Sequence, residues 1–341
     1  MPNNYSLTWQ LTARLSGADY PQRPMHQERP TANELDALRS GAALVDRSST
    51  RGKLALTGSE AEAALNAVVS NQIEDLTPGH GCFAACCNSK GRMLGDLRVL
   101  RSANELLIDT ELDALQAVFD AVRHGLVGYD AELHKRTRES CLFSLLGPAS
   151  RQIAGAESLP GDEYSNAAGQ LGGAPVLLIS TDIGIDVLAS AEAGDQVKEA
   201  LLASGAVEAT EALAELARIE SGRPRYGVDL DQTVIPQEAG LNERAVSFTK
   251  GCYVGQETIA RLHYRGRPNR RLCQLKLSGE AEVGAKLHTD EREVGTLTSV
   301  ALSPEQGPIG LALVRREAPD GALLRVDDGP LNAQLLTPDA H

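Results

Sequence analysis

From Arg271 to the C-terminus the helical spacing of apolar residues disappears, and this divides the chain into two architectures. Short apolar runs at Leu272–Leu277, Val294–Val300, Ile309–Val314, Leu323–Val326 and Leu331–Leu336 are separated by Gly, Pro and Asp turns. Such a run of short strands predicts a small β-barrel or sandwich over residues 267–341. A chain of 341 residues is also too long for one compact core.

Upstream, capped helices mix with strands. Thr31-Ala32-Asn33-Glu34 reads as a capping box opening a helix that Gly41 closes. Ser59-Glu60-Ala61-Glu62 reads as a second box, opening a helix with Leu65, Val68 and Val69. A third helix is predicted from Asp113 to Arg123, capped by Gly125. Strands are predicted at Lys53–Thr57, Cys82–Cys87, Met93–Leu100 and Leu106–Asp109. A further α/β unit near 139–205 has strands Cys141–Leu146, Pro175–Ser180 and Ile185–Ala189, the last two forming a hairpin across Asp182–Gly184. Its helices are expected at Gln152–Ser158 and Asp195–Ala203. The fold expected is α+β: interleaved α/β subdomains over 31–266, a C-terminal small β-barrel, and a loosely ordered lead-in at 1–30.

Charge narrows the partners. Lys and Arg total 33 against 46 Asp and Glu, a net charge of −13, which repels nucleic acid and anionic membrane at long range. No apolar run approaches the roughly 20 residues of a membrane span, and residues 1–30 lack the apolar core of a signal peptide. A cytoplasmic protein is expected. Six cysteines in a chain this long do not form a disulfide framework. Cys82, Cys86 and Cys87 cluster, but a strand over 81–87 sends Cys86 and Cys87 to opposite faces, and no Cys-x-x-Cys or His pair stands nearby. They read as buried small hydrophobes rather than metal ligands.

Residues 213–271 carry the chemistry. Leu213, Leu216 and Ile219 mark the buried face of a helix stopping at Ser221-Gly222, with Glu220 in its last turn, where the helix dipole opposes an acid. An ordinary ion pair with Arg218 or Arg223 would also explain Glu220. Two glycine-punctuated loops follow, at 222–227 and 236–241. Then Lys250-Gly251-Cys252-Tyr253-Val254-Gly255-Gln256-Glu257 sets a thiol ahead of a helix start and two residues from a lysine, both reasons for a reactive thiolate. Five arginines fall within eleven residues, Arg261, Arg265, Arg267, Arg270 and Arg271, interleaved with His263 and Tyr264. Guanidinium groups suit carboxylates or phosphates; an exposed solvated run is the alternative, and RNA contact a third reading that the overall charge disfavours.

The octapeptide, with Arg261, Tyr264, Gly266 and Arg271 after it, resembles the signature of the YgfZ-type folate-binding proteins, within the superfamily of the glycine-cleavage T-protein, an aminomethyltransferase. The resemblance extends over about Leu38–Leu336 and includes Leu44-Val45-Asp46-Arg47-Ser48 and Gly91-Arg92-Met93-Leu94-Gly95-Asp96-Leu97. It implies tetrahydrofolate or a derivative in a central cavity. It also implies a role in assembling or maintaining iron–sulfur clusters, with assembly proteins or cluster enzymes as partners and an indirect effect on tRNA modification. By the same resemblance Glu220 matches the acid that holds the pterin, Tyr226 lies beside the ring, and Tyr253, Gln256 and Glu257 belong to the folate-facing loop. Arg261 and Arg265 would meet the glutamyl tail. Cys252, Lys250 and Asp96 are the candidates for chemistry, Cys252 as a transient, shared cluster ligand. T-proteins carry two adjacent acids where this chain has Gly95-Asp96, and lack the cysteine. A folate-dependent one-carbon transferase is therefore the second reading.

Overall fold

Thr31 starts the first helix as its spacing predicts. Its hydroxyl accepts from the Glu34 N–H, and the Glu34 carboxylate accepts from the Thr31 N–H at 2.7 Å. That carboxylate accepts from Thr210 as well, so one cap also fixes a distant segment. The computed structural model describes residues 29–290 and 292–336. In chain order its elements begin with α1 (Ala32–Ser40), β1 (Ala43–Asp46), β2 (Arg51–Thr57), α2 (Ala61–Asn66), β3 (Gly81–Cys87), β4 (Met93–Arg101), β5 (Leu106–Glu111), α3 (Leu112–Gly125) and β6 (Glu132–Lys135). Next come β7 (Ser140–Leu146), α4 (Ser150–Ile153), β8 (Asn166–Leu171), β9 (Ala174–Ser180), β10 (Gly184–Ser190), α5 (Gly194–Ala203), β11 (Val207–Ala209), α6 (Glu211–Glu220), α7 (Asn242–Ala245) and α8 (Gln256–Arg265). The last six are β12 (Arg270–Leu277), β13 (Lys286–Thr289), β14 (Arg292–Ser303), β15 (Gly307–Arg315), β16 (Leu323–Val326) and β17 (Asn332–Leu335).

They form two sheets and a barrel. The first sheet runs β3-β4-β5-β2-β6, and the second β11-β1-β7-β10-β9-β8. β1 pairs with β7 and β11 rather than with β2, its neighbour in sequence, so the chain starts in the second sheet before building the first. Strands β12 to β17 close into a barrel, which leaves no open edge. The expected α+β body with a C-terminal barrel is the fold observed.

Each body has its own core. Leu54, Leu97, Val99 and Ile108 of the first sheet pack with Val118 and Val122 of α3, each fully buried aliphatic contributing about 1.5–3 kcal/mol. The helix lies close to the sheet because two strand positions have no side chain: a Cβ at Gly52 would meet Leu115 at 2.8 Å, and one at Gly95 would meet Ala114 at 2.6 Å. Since successive strand residues face opposite ways, Gly95 toward α3 sends Asp96 away from it.

Several expected features resolve differently. Ser59 does not cap α2; its hydroxyl donates to Asp130, and Glu62 pairs with Arg101. Val68 follows α2 in a turn, and Val69 bridges to Cys86 of β3. Gly125 is the last residue of α3, not its cap, and a Cβ there would strike Val68 at 2.2 Å. The helix at 152–158 shrinks to α4, a single turn. Strands β1, β6, β8, β11 and β13 had no expected counterpart: all are short, or lack alternating apolar residues. Cys86 and Cys87 are both buried, with a register shift between them. The lead-in lies outside the described residues except for Arg29, which pairs with Glu280 of the barrel, and Pro30.

Candidate functional site

The face of the first sheet turned away from α3 is charged. Asp96 and Arg98 alternate on β4, Asp109 and Glu111 on β5, and Arg51 and Lys53 on β2. Register sets Arg98 opposite Asp109, and Arg51 opposite Glu111. Arg51 pairs with both Asp109 and Glu111. Arg98 reaches Asp109 at 2.5 Å and, across to β10, Asp186 at 2.7 Å. Asp186 also accepts from Ser144 of β7, so this layer joins the two sheets through ion pairs. Glu111 continues it to Arg225, which also meets Glu211 and Glu215 of α6. Burial works against the charge on Asp109, but the Arg51 and Arg98 guanidiniums prevail and hold its carboxyl at about 2. A void of about 20 Å³ beside Lys53, Arg98 and Asp109 has room for about one water.

Asp96 is the exception in this layer. It is only 4% exposed, and no Arg or Lys lies within ion-pair distance of it among the described residues. Burial, helped by Glu111 and opposed by Arg51 and Arg244, pushes its carboxyl up to about 7. An aromatic and cationic wall stands nearby. Phe83 of β3, in register with Arg98, lies parallel to Tyr164 with ring centres 6.3 Å apart. Arg244 sits over Phe83 at 4.4 Å and donates to Glu163 at 2.6 Å and to the Tyr164 hydroxyl. Arg223 meets Glu163 and Asp182. Around this wall Arg244 Nε, Ser165 Oγ, Thr181 Oγ1 and Asn242 Oδ1 are buried without a hydrogen-bond partner. Such groups are costly in a sealed interior, and they leave unused donors and acceptors beside the aromatic pair.

The octapeptide loop is built around Lys250. Its ammonium donates to the carbonyls of Asn66, Val69 and Asn71 at 2.6, 2.7 and 2.8 Å, and lies 5.1 Å from the Tyr253 ring centre. All three N–H groups are therefore committed to backbone at the end of α2 and just after it rather than to Cys252. Burial pushes Lys250 down to about 8, against the opposing influence of Cys82 and Glu74. Tyr253 is buried in the first core. Gly255 caps α8 at φ 87°, where a Cβ would stand 2.6 Å from the Asn88 carbonyl. Gln256 donates back to the Gly251 carbonyl at 3.4 Å. Cys252 itself is exposed.

The remaining expected residues differ in how they are engaged. Glu220 ends α6 half-buried, and its carboxylate makes no ion pair or hydrogen bond among the described residues; only its carbonyl is held, by Gln274. The arginines beside it are engaged elsewhere, Arg218 with Glu215 and Asp229. The Tyr226 hydroxyl donates to the Met93 carbonyl at 3.4 Å, and burial, then the Asp231 and Asp96 charges, push its phenol up to about 12. Glu257, Arg261 and Arg265 are exposed. Of the other cysteines, Cys86 is buried and pushed up to about 12, and Cys82 is raised equally by burial. No group of three His, Cys, Asp or Glu among the described residues is arranged to hold a metal. The sequence reading passed over Arg98, Glu163, Tyr164, Asp186 and Arg244. Its one available signal was the alternation of charges in Asp96-x-Arg98, Asp109-x-Glu111 and Arg51-x-Lys53.

Comparison with known proteins places this geometry. The GCVT N-terminal domain matches residues 1–250, and the CAF17 C-terminal beta-barrel domain matches residues 269–338. A putative chloroplastic transferase of Arabidopsis thaliana is 30% identical over 295 residues, covering 83% of this chain and 68% of its own length. The aminomethyltransferase of Streptomyces coelicolor is 29% identical over 297 residues, covering 82% and 79%. The crystal structure of the glycine cleavage system aminomethyltransferase T from Bartonella henselae shares the fold, with a TM-score of 0.80 over 90% of this chain and 88% of its own at 20% identity. No helix among the described residues is long and apolar enough to cross a membrane. With a GCVT-type body joined to a CAF17-type barrel, the chain belongs to the YgfZ/CAF17 family.

Proposed function

We propose that the protein binds tetrahydrofolate or a derivative, and that in this state it serves as an accessory factor for iron–sulfur cluster assembly or maintenance, with an indirect effect on tRNA modification. The observation that carries the folate reading is the set of unsatisfied polar groups in the region of Asp96 and Arg244. It combines a buried, unpaired carboxyl, the Phe83–Tyr164 pair and the unpartnered atoms of Arg244, Ser165, Thr181 and Asn242. A pterin offers adjacent N–H donors and a flat face, and these groups complement both. Glu220, free of any ion pair, is the carboxylate assigned to the pterin N–H groups, with Tyr226 near the ring. When bound, tetrahydrofolate supplies nitrogens able to carry a one-carbon unit. Asp96 holds or releases a proton in the neutral range beside it.

The cluster part rests on Cys252, the one cysteine of the six that is exposed. A single thiolate cannot hold a cluster that usually takes four, so the other ligands come from a partner. Lys250 and Tyr253 hold the loop that presents the thiol. The second reading, a one-carbon transferase, is favoured by Asp96 itself. Two variants separate them in a strain lacking this protein. The accessory reading predicts that Cys252→Ala fails to restore cluster-dependent enzymes, while Asp96→Asn affects folate binding only. Turnover of aminomethyl or N-methyl donors that Asp96→Asn abolishes and Cys252→Ala leaves intact would establish the transferase instead.

A further inference from the structure

α8 is packed along one side and open on the rest. Of its ten residues only Ile259 is buried, anchored where the Gln237 side chain donates to the Ile259 carbonyl at 2.8 Å. The C-terminal half, with the residues after it, is open: Arg261, His263, Tyr264, Arg265, Gly266 and Arg267 are all exposed. Tyr264 is 67% exposed. Arg261, Arg265 and Arg267 have no carboxylate within ion-pair distance among the described residues, whereas the arginines of the charged layer are all paired. Three bare guanidiniums on a chain of net charge −13 are a local reversal of sign.

The face is also packed from one side. Phe248 stacks on His263 with ring centres 3.7 Å apart and planes within 16°, and meets Tyr264 edge-on at 6.3 Å. The octapeptide runs directly into α8 through the Gly255 cap, and Phe248, two residues before it, packs on the far end of the same helix. Its exposed Cys252 and Val254 precede the N-terminal cap of the helix.

We propose that this face of α8 is a docking surface for a protein partner that presents an acidic patch with apolar residues at its centre. Tyr and Arg are among the residues enriched in interface centres, and the exposed Tyr264 ring supplies apolar area that a purely electrostatic contact would not require. Charge complementarity names the partner's sign. The same net charge of −13 that an acidic patch on a protein meets only locally would oppose a nucleic acid along its whole length. The inference goes beyond the folate reading and does not depend on it.

The test uses the full chain and three labelled probes followed by fluorescence anisotropy: a helical peptide with glutamate and leucine faces, the same peptide with lysine for glutamate, and a single-stranded RNA of mixed sequence. The glutamate peptide is expected to bind, to weaken as salt rises, and to lose roughly tenfold or more in affinity with Arg261→Glu/Arg265→Glu, a change that reverses two exposed charges. Tyr264→Ala is expected to weaken it several-fold at unchanged salt dependence. Equal binding of the two peptides, or none by either, overturns the proposal. RNA bound more tightly than the glutamate peptide overturns it in favour of a nucleic-acid face. Tetrahydrofolate binding that is present in the parent and lost in the double charge reversal would assign these arginines to the folate tail and overturn it too. If the parent binds no tetrahydrofolate, the folate reading fails while the peptide arms still decide this one.

Discussion

Replacing Lys250 by methionine distinguishes a structural lysine from a chemical one. The substitution keeps the stem and removes an ammonium that donates to three carbonyls at 2.6–2.8 Å. Hydrogen bonds from a charged donor are worth about 1.5–3 kcal/mol each, but the three share one group and the site is only partly buried. Water can reach some of the carbonyls once the ammonium is gone. A net loss of about 2–4 kcal/mol follows, or roughly 5–15 °C in Tm for a body of this size. Lys250→Arg should fall between, because a planar guanidinium cannot direct three bonds to acceptors that converge on one point. Thermal unfolding followed by circular dichroism gives the global effect. The local effect is read with a thiol reagent: in the parent only Cys252 is exposed, and release of the loop should make Cys82, half-buried near Lys250, react as well. A Lys250→Met protein with parental stability and one reactive thiol, yet inactive in the cell, would refute this reasoning and make the lysine a chemical participant.

Asp96 gives a pH prediction. Its folded carboxyl is raised from 3.8 to about 7, so the folded state binds the extra proton between those values. The contribution is fully present below about 3.8 and is lost as pH rises through about 7, by on the order of 4 kcal/mol. Asp96→Asn should therefore gain stability relative to the parent as pH rises from about 5 to 8; a difference that does not change with pH would show that the carboxyl titrates normally. Asp109 works in the opposite sense, its contribution present above 3.8 and lost as pH falls toward about 2. Arg98→Met strips Asp186 of its cation but leaves it Ser144, and leaves Asp109 with Arg51, so urea unfolding should show a loss near the low end of the ~3–5 kcal/mol typical of broken buried pairs. Gly255→Ala must place a methyl at φ 87° and 2.6 Å from the Asn88 carbonyl; a destabilisation of about 1–3 kcal/mol in the same assay is expected, and none would mean that the α8 cap can relax freely.

What could be foreseen follows the range of the interactions. The Thr31–Glu34 cap is complete within four residues, and the barrel announced itself through short strands and turns. β1 is invisible in the sequence because its four residues are fixed by β7 and β11, which lie far away along the chain. The charged layer was legible only as alternation: Asp96-x-Arg98 looks like the wet face of an ordinary strand until the second sheet covers it with Asp186. Lys250 was recognised as special for the wrong neighbour. Its acceptors are backbone carbonyls, which leave no mark in side-chain identity, whereas Cys252 stands two residues away in plain sight. The same holds for Glu220, where the sequence offered two arginines and the fold engages both elsewhere.

The most direct test of the central claim is a calorimetric titration of the purified protein with tetrahydrofolate, run in parallel on Glu220→Gln. Saturable binding by the parent, weakened roughly tenfold or more when the charged acceptor becomes a neutral amide, is the result expected. No binding by the parent would contradict the claim outright, and equal binding by both proteins would remove Glu220 from the site.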